Sequence, residues 1–523
     1  MFRYPVYLLF FLSLFIVSCE NGIQGDFNEN QTPSTQLTLN EINLPEGKWL
    51  ESEVEISWWG DDPDGYIIGY EYYIGNNPPE DDESGWHFTT RTDSTFVLPI
   101  PEDSTNAKVK FTVRAIDNDE ARDIDPPSLV FPIENSRPLV EFKVQEAPPD
   151  TTYRIASFGF TASDPDGNTN LNRLEIALND TSSEESWKEL SLNVNFITLK
   201  IDDSQENAVA EVLLGKTATP SGIQFESVNV DGENELFVRA IDNAAEISIV
   251  AGNKWYVKKQ TSRVLFLNDF SGTNTNSRAA FHLELLAGNG ISNVDYIDIS
   301  DGDVVGSTRV QLSSAFPNRS LASPTINMML AEWDYIYWIS NDLDRNIGYA
   351  LELTQQFFDR GGKMFVNIPI ELLGDRHPLF QFLPFEGIGT PPPMSGRSPQ
   401  LFADVCTEVT SVSNSFNFDG ELRLNRSILP ANAIIPFSEA IALFDANFQL
   451  ILRNPTEFRD YDGTQTIAAM NSNNSLIYFG YDLTFFTTED GTCEDPETEE
   501  PLPASDLEGL INFLTIETLG FEQ

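Results

Sequence analysis

Three kinds of side chain in this sequence have types and spacings that could do chemistry: aspartates bunched in turns, three histidines and three cysteines. Asp61, Asp62, Asp64, Asp117 and Asp119 fall in short polar stretches, as do Asp164, Asp166 and Asp242 further on. Hard oxygen ligands gathered in turns are what calcium requires. An EF-hand loop would need Glu at its twelfth position, and counting from Asp61 that position is Tyr72. The competing reading is a structural turn: Pro63 fixes φ, the carboxylates bond to backbone amides and Gly65 takes a positive φ. The turn is the preferred reading; calcium, held by Asp62, Asp64, Asp117, Asp164, Asp166 and Asp242, is the alternative.

The histidines, His87, His282 and His377, stand far apart, and no CxxC or Cys/His spacing of a zinc site occurs. Besides Cys19 the chain has Cys406 and Cys493, an isolated pair that could form a single disulfide in an oxidising compartment. No cysteine or serine is set in sequence beside a histidine as a nucleophile would be beside its base.

The first residues give Cys19 a different role. Arg3 precedes an apolar run from Val6 to Val17 broken only by Ser13, the layout of a secretory signal, too short to span a bilayer. The run closes on Ile16-Val17-Ser18-Cys19, which resembles the lipobox of bacterial lipoproteins. That resemblance implies acylation of Cys19 and a mature protein lipid-anchored in the cell envelope, periplasmic or surface-exposed. Residues 1–19 are then the signal, and the polar residues 20–37 read as a tether. With 81 acidic against 31 basic residues, the formal net charge is −50. Such a surface repels polyphosphate, so no nucleic-acid partner is expected.

The first half repeats itself. DDPDG at 61–65 returns as SDPDG at 163–167, and VRAIDN at 113–118 returns unchanged at 238–243. Glycine to valine runs 65 to 113 in the first copy and 167 to 238 in the second, so the second is longer by about 23 residues, placed most naturally between Asp202 and Glu233. Val54–Trp58, Tyr66–Ile74, Thr95–Leu98 and Lys108–Ile116 read as strands by alternation and β-branched content. Short strands at this spacing argue an antiparallel β-sandwich per copy, over 38–135 and 136–260. The Trp-bearing strand, the Asp-Pro-Asp-Gly turn and the V-R-A-x-D strand resemble fibronectin type III and related immunoglobulin-like modules. Trp58, Trp59, Trp86 and Trp187 suit sandwich cores, with a sugar platform as the alternative.

From Arg263 the pattern changes. Val264–Leu267, Val294–Ile299, Tyr335–Ile339 and Lys363–Ile368 are apolar strands, and Arg278–Ala287 and Ile347–Arg360 have helical periodicity. A last helix follows a capping box at Ser505-Asp-Leu-Glu508. The expectation for 261–523 is a doubly wound α/β domain with a mostly parallel sheet covered on both faces. VLFLND, YIYWISND, FFDRGGKMFVNIP and SLIYFGYDL together resemble the flavodoxin-like fold of class I glutamine amidotransferase-like domains. Catalytic members place a cysteine at a strand-to-helix elbow; here Asn367-Ile-Pro-Ile370 holds no nucleophile. A trehalose-utilisation-like branch keeps a histidine after this turn, where His377 falls.

Open parallel sheets gather ligands at the carboxyl ends of their strands. The candidate ligand-binding residues are therefore Asp269, Ser271, Thr273 and Asn274 after the first strand, and Asn341 and Asp342 after the third. The whole chain then reads as a non-enzymatic, lipid-anchored binding or scaffolding protein, with the membrane, an envelope glycan or another envelope protein as partner. The alternative is an envelope hydrolase of glycans or amides acting through the α/β domain.

Overall fold

The computed structural model describes residues 29–39, 49–80, 84–101, 104–226, 228–270, 275–299, 324–343, 346–374, 376–394, 397–453, 455–495 and 497–522. Cys19, the signal and residues 20–28 of the tether lie outside them. The chain divides into two compact bodies. One holds residues 1–139 with the turns 163–172 and 241–248; the other holds 140–162, 173–240 and 249–523.

In the first body the strands are β1 (Ser34–Leu39), β2 (Glu53–Asp61), β3 (Ile67–Ile74), β4 (His87–Thr89), β5 (Asp93–Val97), β6 (Asn106–Asp117) and β7 (Ser128–Glu134). They make two antiparallel sheets, β1-β2-β5 and β4-β3-β6-β7. Alternation decides which side of each strand is buried. Val54, Ile56 and Trp58 of β2 meet Val109, Phe111, Val113 and Ala115 of β6 in one core. Trp58 is its hub, with the rings of Tyr70, Phe96 and Phe111 at 6.3, 6.1 and 6.0 Å.

The second copy is built from β8 (Leu139–Phe142), β9 (Thr151–Thr152), β10 (Ile155–Ser163), β11 (Leu171–Leu178), β12 (Lys188–Leu190), β13 (Phe196–Asp202), β14 (Val209–Leu214), β15 (Thr219–Phe225), β16 (Gly232–Asp242) and β17 (Ala251–Val257). The sheet β12-β11-β16-β17 repeats the order β4-β3-β6-β7, with β9 added at its edge. The other sheet, β8-β10-β13-β14-β15, matches β1-β2-β5 and extends it by the β14–β15 hairpin. That hairpin lies between Asp202 and Glu233, where the second copy has its extra residues. Phe158 and Trp255 meet edge to face at 4.9 Å between the two sheets.

The third region corrects the expected doubly wound α/β domain. Strand far outweighs helix among the described residues, and the main sheet is mixed. It comprises β18 (Val264–Asp269), β19 (Asp295–Asp298), β20 (Tyr335–Ser340) and β21 (Lys363–Asn367), followed later by β24 (Val409–Ser411), β27 (Ile441–Ala446), β30 (Thr466–Met470) and β31 (Leu476–Phe479). In the order β19-β18-β20-β21-β31-β30-β27-β24, the first five strands are parallel and the last three antiparallel. Two further small antiparallel sheets pair β22 (Phe385–Gly389) with β26 (Ala433–Pro436), and order β25 (Ile428–Ala431), β23 (Gln400–Ala403), β28 (Gln449–Leu452) and β29 (Glu457–Asp460) as β25-β23-β28-β29. The sheets thus occupy much of the sequence where a doubly wound fold would have crossover helices. The architecture implied by the amidotransferase-like resemblance does not form.

The helices are correspondingly modest. Among the described residues Thr275–Gly288 is the longest. The periodic stretch from Ile347 breaks into a 3₁₀ turn, Asn346–Tyr349, and two short helices, Ala350–Leu353 and Gln355–Asp359. At the junction the Thr354 hydroxyl and amide both donate to the Ala350 carbonyl, at 2.6 and 2.9 Å. The last helix starts at Leu507 and is capped by Asp506, whose carboxylate accepts from the Gly509 amide at 2.8 Å. Ser505, the expected cap, instead shares a 2.8 Å hydrogen bond with Thr487. The second sandwich joins this region through Asp295, which accepts from the amides of Thr261 and Ser262 and from the Trp333 indole at 2.9 Å. Tyr153 packs edge to face on Trp333 at 4.9 Å.

Candidate functional site

The parallel strands deliver polar residues to their carboxyl ends, as the sequence suggests. Asp269 ends β18, Ser340 ends β20 and Asn367 ends β21, and all three are buried. Asp269 accepts from the Asn346 side-chain amide at 2.6 Å. The Ser340 hydroxyl contacts the carbonyls of Asp269 and Asp342 and accepts from the Asp342 amide, at 3.2–3.3 Å. Asn367 donates to the carbonyls of Phe479 and Tyr481 at 2.9 and 2.7 Å, stitching β21 to the loop after β31. Arg278, on the helix after β18, donates to Asp482 at 2.9 Å. Asp269 and Asp342 thus come together, with Asn341 half-buried beside them in sequence. Ser271, Thr273 and Asn274 lie outside the described residues. Asn346, Asn367, Arg278 and Asp482 were not legible as a group, because Arg278 and Asp482 are 204 residues apart.

None of these groups is a nucleophile beside a base. His282 is fully buried, its Nδ1 2.9 Å from the Tyr337 hydroxyl, and burial, with Arg278 adding to it, pushes its pKa down to about 3. It is neutral at physiological pH. His377 Nδ1 accepts from the Leu379 amide at 3.3 Å, capping the turn Pro378–Gln381. His87 stacks on Tyr72 at 5.3 Å. Cys406 and Cys493 are joined in a disulfide.

The aspartates of the repeats have a different task. In the first copy Asp117 accepts from the Asn30 amide group at 2.7 Å and Asp64 accepts from the Gln31 backbone at 3.1 Å. In the second copy Asp242 accepts from Asn135 at 2.5 Å and Asp166 from the Ser136 backbone at 2.6 Å, with Ser52 also bonded to Asp166. The two sites are the same clasp, closed on the segment that leads into each sandwich. Its sequence signal is a third repeat, Glu29-Asn30-Gln31-Thr32-Pro33 and Glu134-Asn135-Ser136-Arg137-Pro138, visible only once the partners are known. Burial opposes ionisation of Asp117, but bonds from Asn30, Ala121 and Asp119 hold its pKa below the ordinary value. Asp164 is driven the other way, up to about 6, by burial and by the neighbouring Asp166 and Asp242. Asp62 is raised for the same reasons, with Asp64 and Asp117 beside it.

Among the described residues no group of three or more His, Cys, Asp or Glu is arranged to hold a metal ion. Gly65 does not need a positive φ: a Cβ there would collide with Asn118 and Asp62, and Asn118 accepts from the Tyr66 amide at 2.8 Å. Gly167 does adopt φ 102°.

The repeated tryptophans divide between the two readings. Trp58 is core, Trp59 is 53 % exposed, and Trp86 and Trp187 lie beneath the guanidinium groups of Arg114 and Arg239. Those arginines are the R of the VRAIDN repeat, and each bonds a glutamate on the neighbouring strand, Glu71 or Glu175.

No protein-family model and no curated protein matches the chain. Among solved structures it is similar to the fibronectin(III)-like modules of Clostridium thermocellum CbhA, with 13 % identity over 43 % of this chain and 95 % of that one and a TM-score of 0.16. It is also similar to the PKD1 domain of Vibrio anguillarum Epp, with 16 % identity, 20 % and 98 % coverage and a TM-score of 0.14. The FN1–FN3 domains of chicken CNTN1 match with 12 % identity, 44 % and 67 % coverage and a TM-score of 0.19. Scores this low add nothing to the strand pairings, which by themselves define the two β-sandwich modules.

Proposed function

We propose that this chain is a lipid-anchored cell-envelope protein, acylated at Cys19, in which two β-sandwiches act as a spacer for the mixed-sheet region and which binds a partner without catalysing a reaction. The anchor rests on Arg3, the apolar run Val6–Val17 and the lipobox-like Ile16–Cys19. The observation that supports a non-catalytic role is that every histidine in the chain has a structural partner, and both cysteines beyond Cys19 are spent in a disulfide. A serine or cysteine nucleophile needs an adjacent base, and neither the imidazoles nor the thiols are free to serve. The partner is an envelope glycan or another envelope protein; the net charge of −50 disfavours polyanions.

Two measurements test this. Cys19→Ala should move the protein from the detergent phase to the aqueous phase in detergent partitioning of whole cells; retention in the detergent phase would refute the anchor. Turnover of amide, ester or glycoside substrates by the full chain, abolished by Asp269→Asn or His377→Ala, would refute the non-catalytic role.

A further inference from the structure

The second sandwich has one hairpin that the first lacks, and that hairpin borders two cavities. One, of about 510 Å³, is lined by Lys200, Glu211 and Gln224 together with Arg154 and Glu332. Lys200 pairs with Glu211 across β13 and β14, and Glu211 with Gln224 across β14 and β15. Directly paired residues share a face, so these three side chains stand in a row across the sheet. The other cavity, of about 450 Å³, is also lined by Gln224, with Asp180, Lys188 and Glu226. Both volumes fall in the range of roughly 300–1,000 Å³ typical of small-ligand sites.

We propose that the two cavities form one groove for an uncharged, hydroxyl-rich chain, a neutral glycan, with Gln224 contacting it where the cavities adjoin. Donors and acceptors are interleaved along both walls: the ammonium of Lys200 or Lys188 stands with the carboxylates of Glu211, Asp180 or Glu226, and the Gln224 amide offers both. A sugar hydroxyl donates one hydrogen bond and accepts two, so it matches such walls, whereas an anion meets Asp202, Glu211 and Glu332 in one cavity and Asp180, Glu185 and Glu226 in the other. The Arg154 cation is already matched: it is ion-paired with Asp203 at 2.5 Å and lies 3.6 Å from Glu332. Half-buried Val209 adds apolar surface at the edge of the larger cavity. Only the source of the glycan, the cell envelope, rests on the function proposed above.

The test is calorimetric titration of the full chain with neutral hexasaccharides of β-1,4-glucose, β-1,4-mannose and N-acetylated β-1,4-glucosamine, and with a hexamer of galacturonate. At least one neutral hexamer should bind, and Gln224→Ala and Lys200→Ala should each weaken it about tenfold without changing the melting temperature. Failure of every neutral hexamer to bind, or tighter binding of the galacturonate hexamer, overturns the proposal. Neutral binding untouched by both substitutions overturns the groove while leaving the binding-protein reading standing.

Discussion

The guanidinium of Arg239 lies 4.2 Å from the centroid of the Trp187 ring while its Nε donates to Glu175 at 2.6 Å. Arg114 repeats the arrangement over Trp86 at 4.0 Å, donating to Glu71 at 2.8 Å. Both arginines are buried, and a planar guanidinium is the cation that can stack and bond a carboxylate at once. Arg239→Met should therefore strand Glu175 with only the half-exposed Arg173, 3.1 Å away, for company. We expect a loss of about 3 kcal/mol in chemical denaturation, near the low end for breaking a buried pair. Arg239→Lys keeps the charge but loses the flat stack, and should cost about 1 kcal/mol. Equal losses in the two variants would show that charge alone matters.

The clasps predict an asymmetry between the copies. Asn135→Ala removes a donor from Asp242, which is 2 % exposed and keeps only the Glu246 amide at 2.8 Å among its described donors. That should cost about 1–3 kcal/mol in urea denaturation, the penalty for an under-bonded buried acceptor. Asn30→Ala should cost about 0.5–1 kcal/mol, because Asn30 is exposed and Asp117 also accepts from the Asp119 and Ala121 amides. A larger loss from Asn30→Ala than from Asn135→Ala would contradict this account.

Cys406 and Cys493 are 87 residues apart in sequence. Closing a loop of that length restricts the unfolded chain by up to about 4.5 kcal/mol. The double variant Cys406→Ser/Cys493→Ser should lower the denaturation midpoint of the mixed-sheet region, and a reducing agent should do the same to the native protein and nothing further to the variant. An unchanged midpoint in both experiments would mean the bond adds no stability.

The first half of the fold was legible because its signals are local. Val54, Ile56 and Trp58 alternate, DPDG and VRAIDN recur, and the extra residues fall between recognisable strands. In the third region the apolar runs from Val264 to Asn367 do pair in parallel; the misreading lay in extending that pattern to the rest of the region, since apolar runs report burial and not strand direction. The strands from Phe385 to Asp460 are three to six residues long and lie among prolines and polar residues, with too few alternations to stand out. At the site, Asp269 was accessible as a strand-end residue, while Asn346 and the Arg278–Asp482 pair depend on tertiary contacts with no local pattern.

Two buried groups should give the two compact bodies opposite responses to pH. Asp164, in the first body, has its pKa raised from the ordinary 3.8 to about 6, chiefly by burial. A carboxyl raised on folding favours the native state when protonated, so its contribution is complete below about pH 3.8 and is lost as pH rises through about 6. His282, in the second body, has its pKa lowered from 6.5 to about 3 by burial. A histidine that must stay neutral gives its full contribution above pH 6.5 and loses it as pH falls toward 3. Acidification from pH 6.5 to 4 should therefore strengthen the turn 163–172 and weaken the helix Thr275–Gly288 against strand β20. Hydrogen exchange of peptides from these segments, measured across that range, separates the two effects. Asp164→Asn, a neutral isostere that can still accept from the Asp166 amide, should flatten the first response and leave the second intact. His282→Phe should flatten the second alone, at some cost in stability from the abandoned Tyr337 hydroxyl. If the wild-type slopes persist in both variants, other carboxylates govern the pH response and these two groups are bystanders.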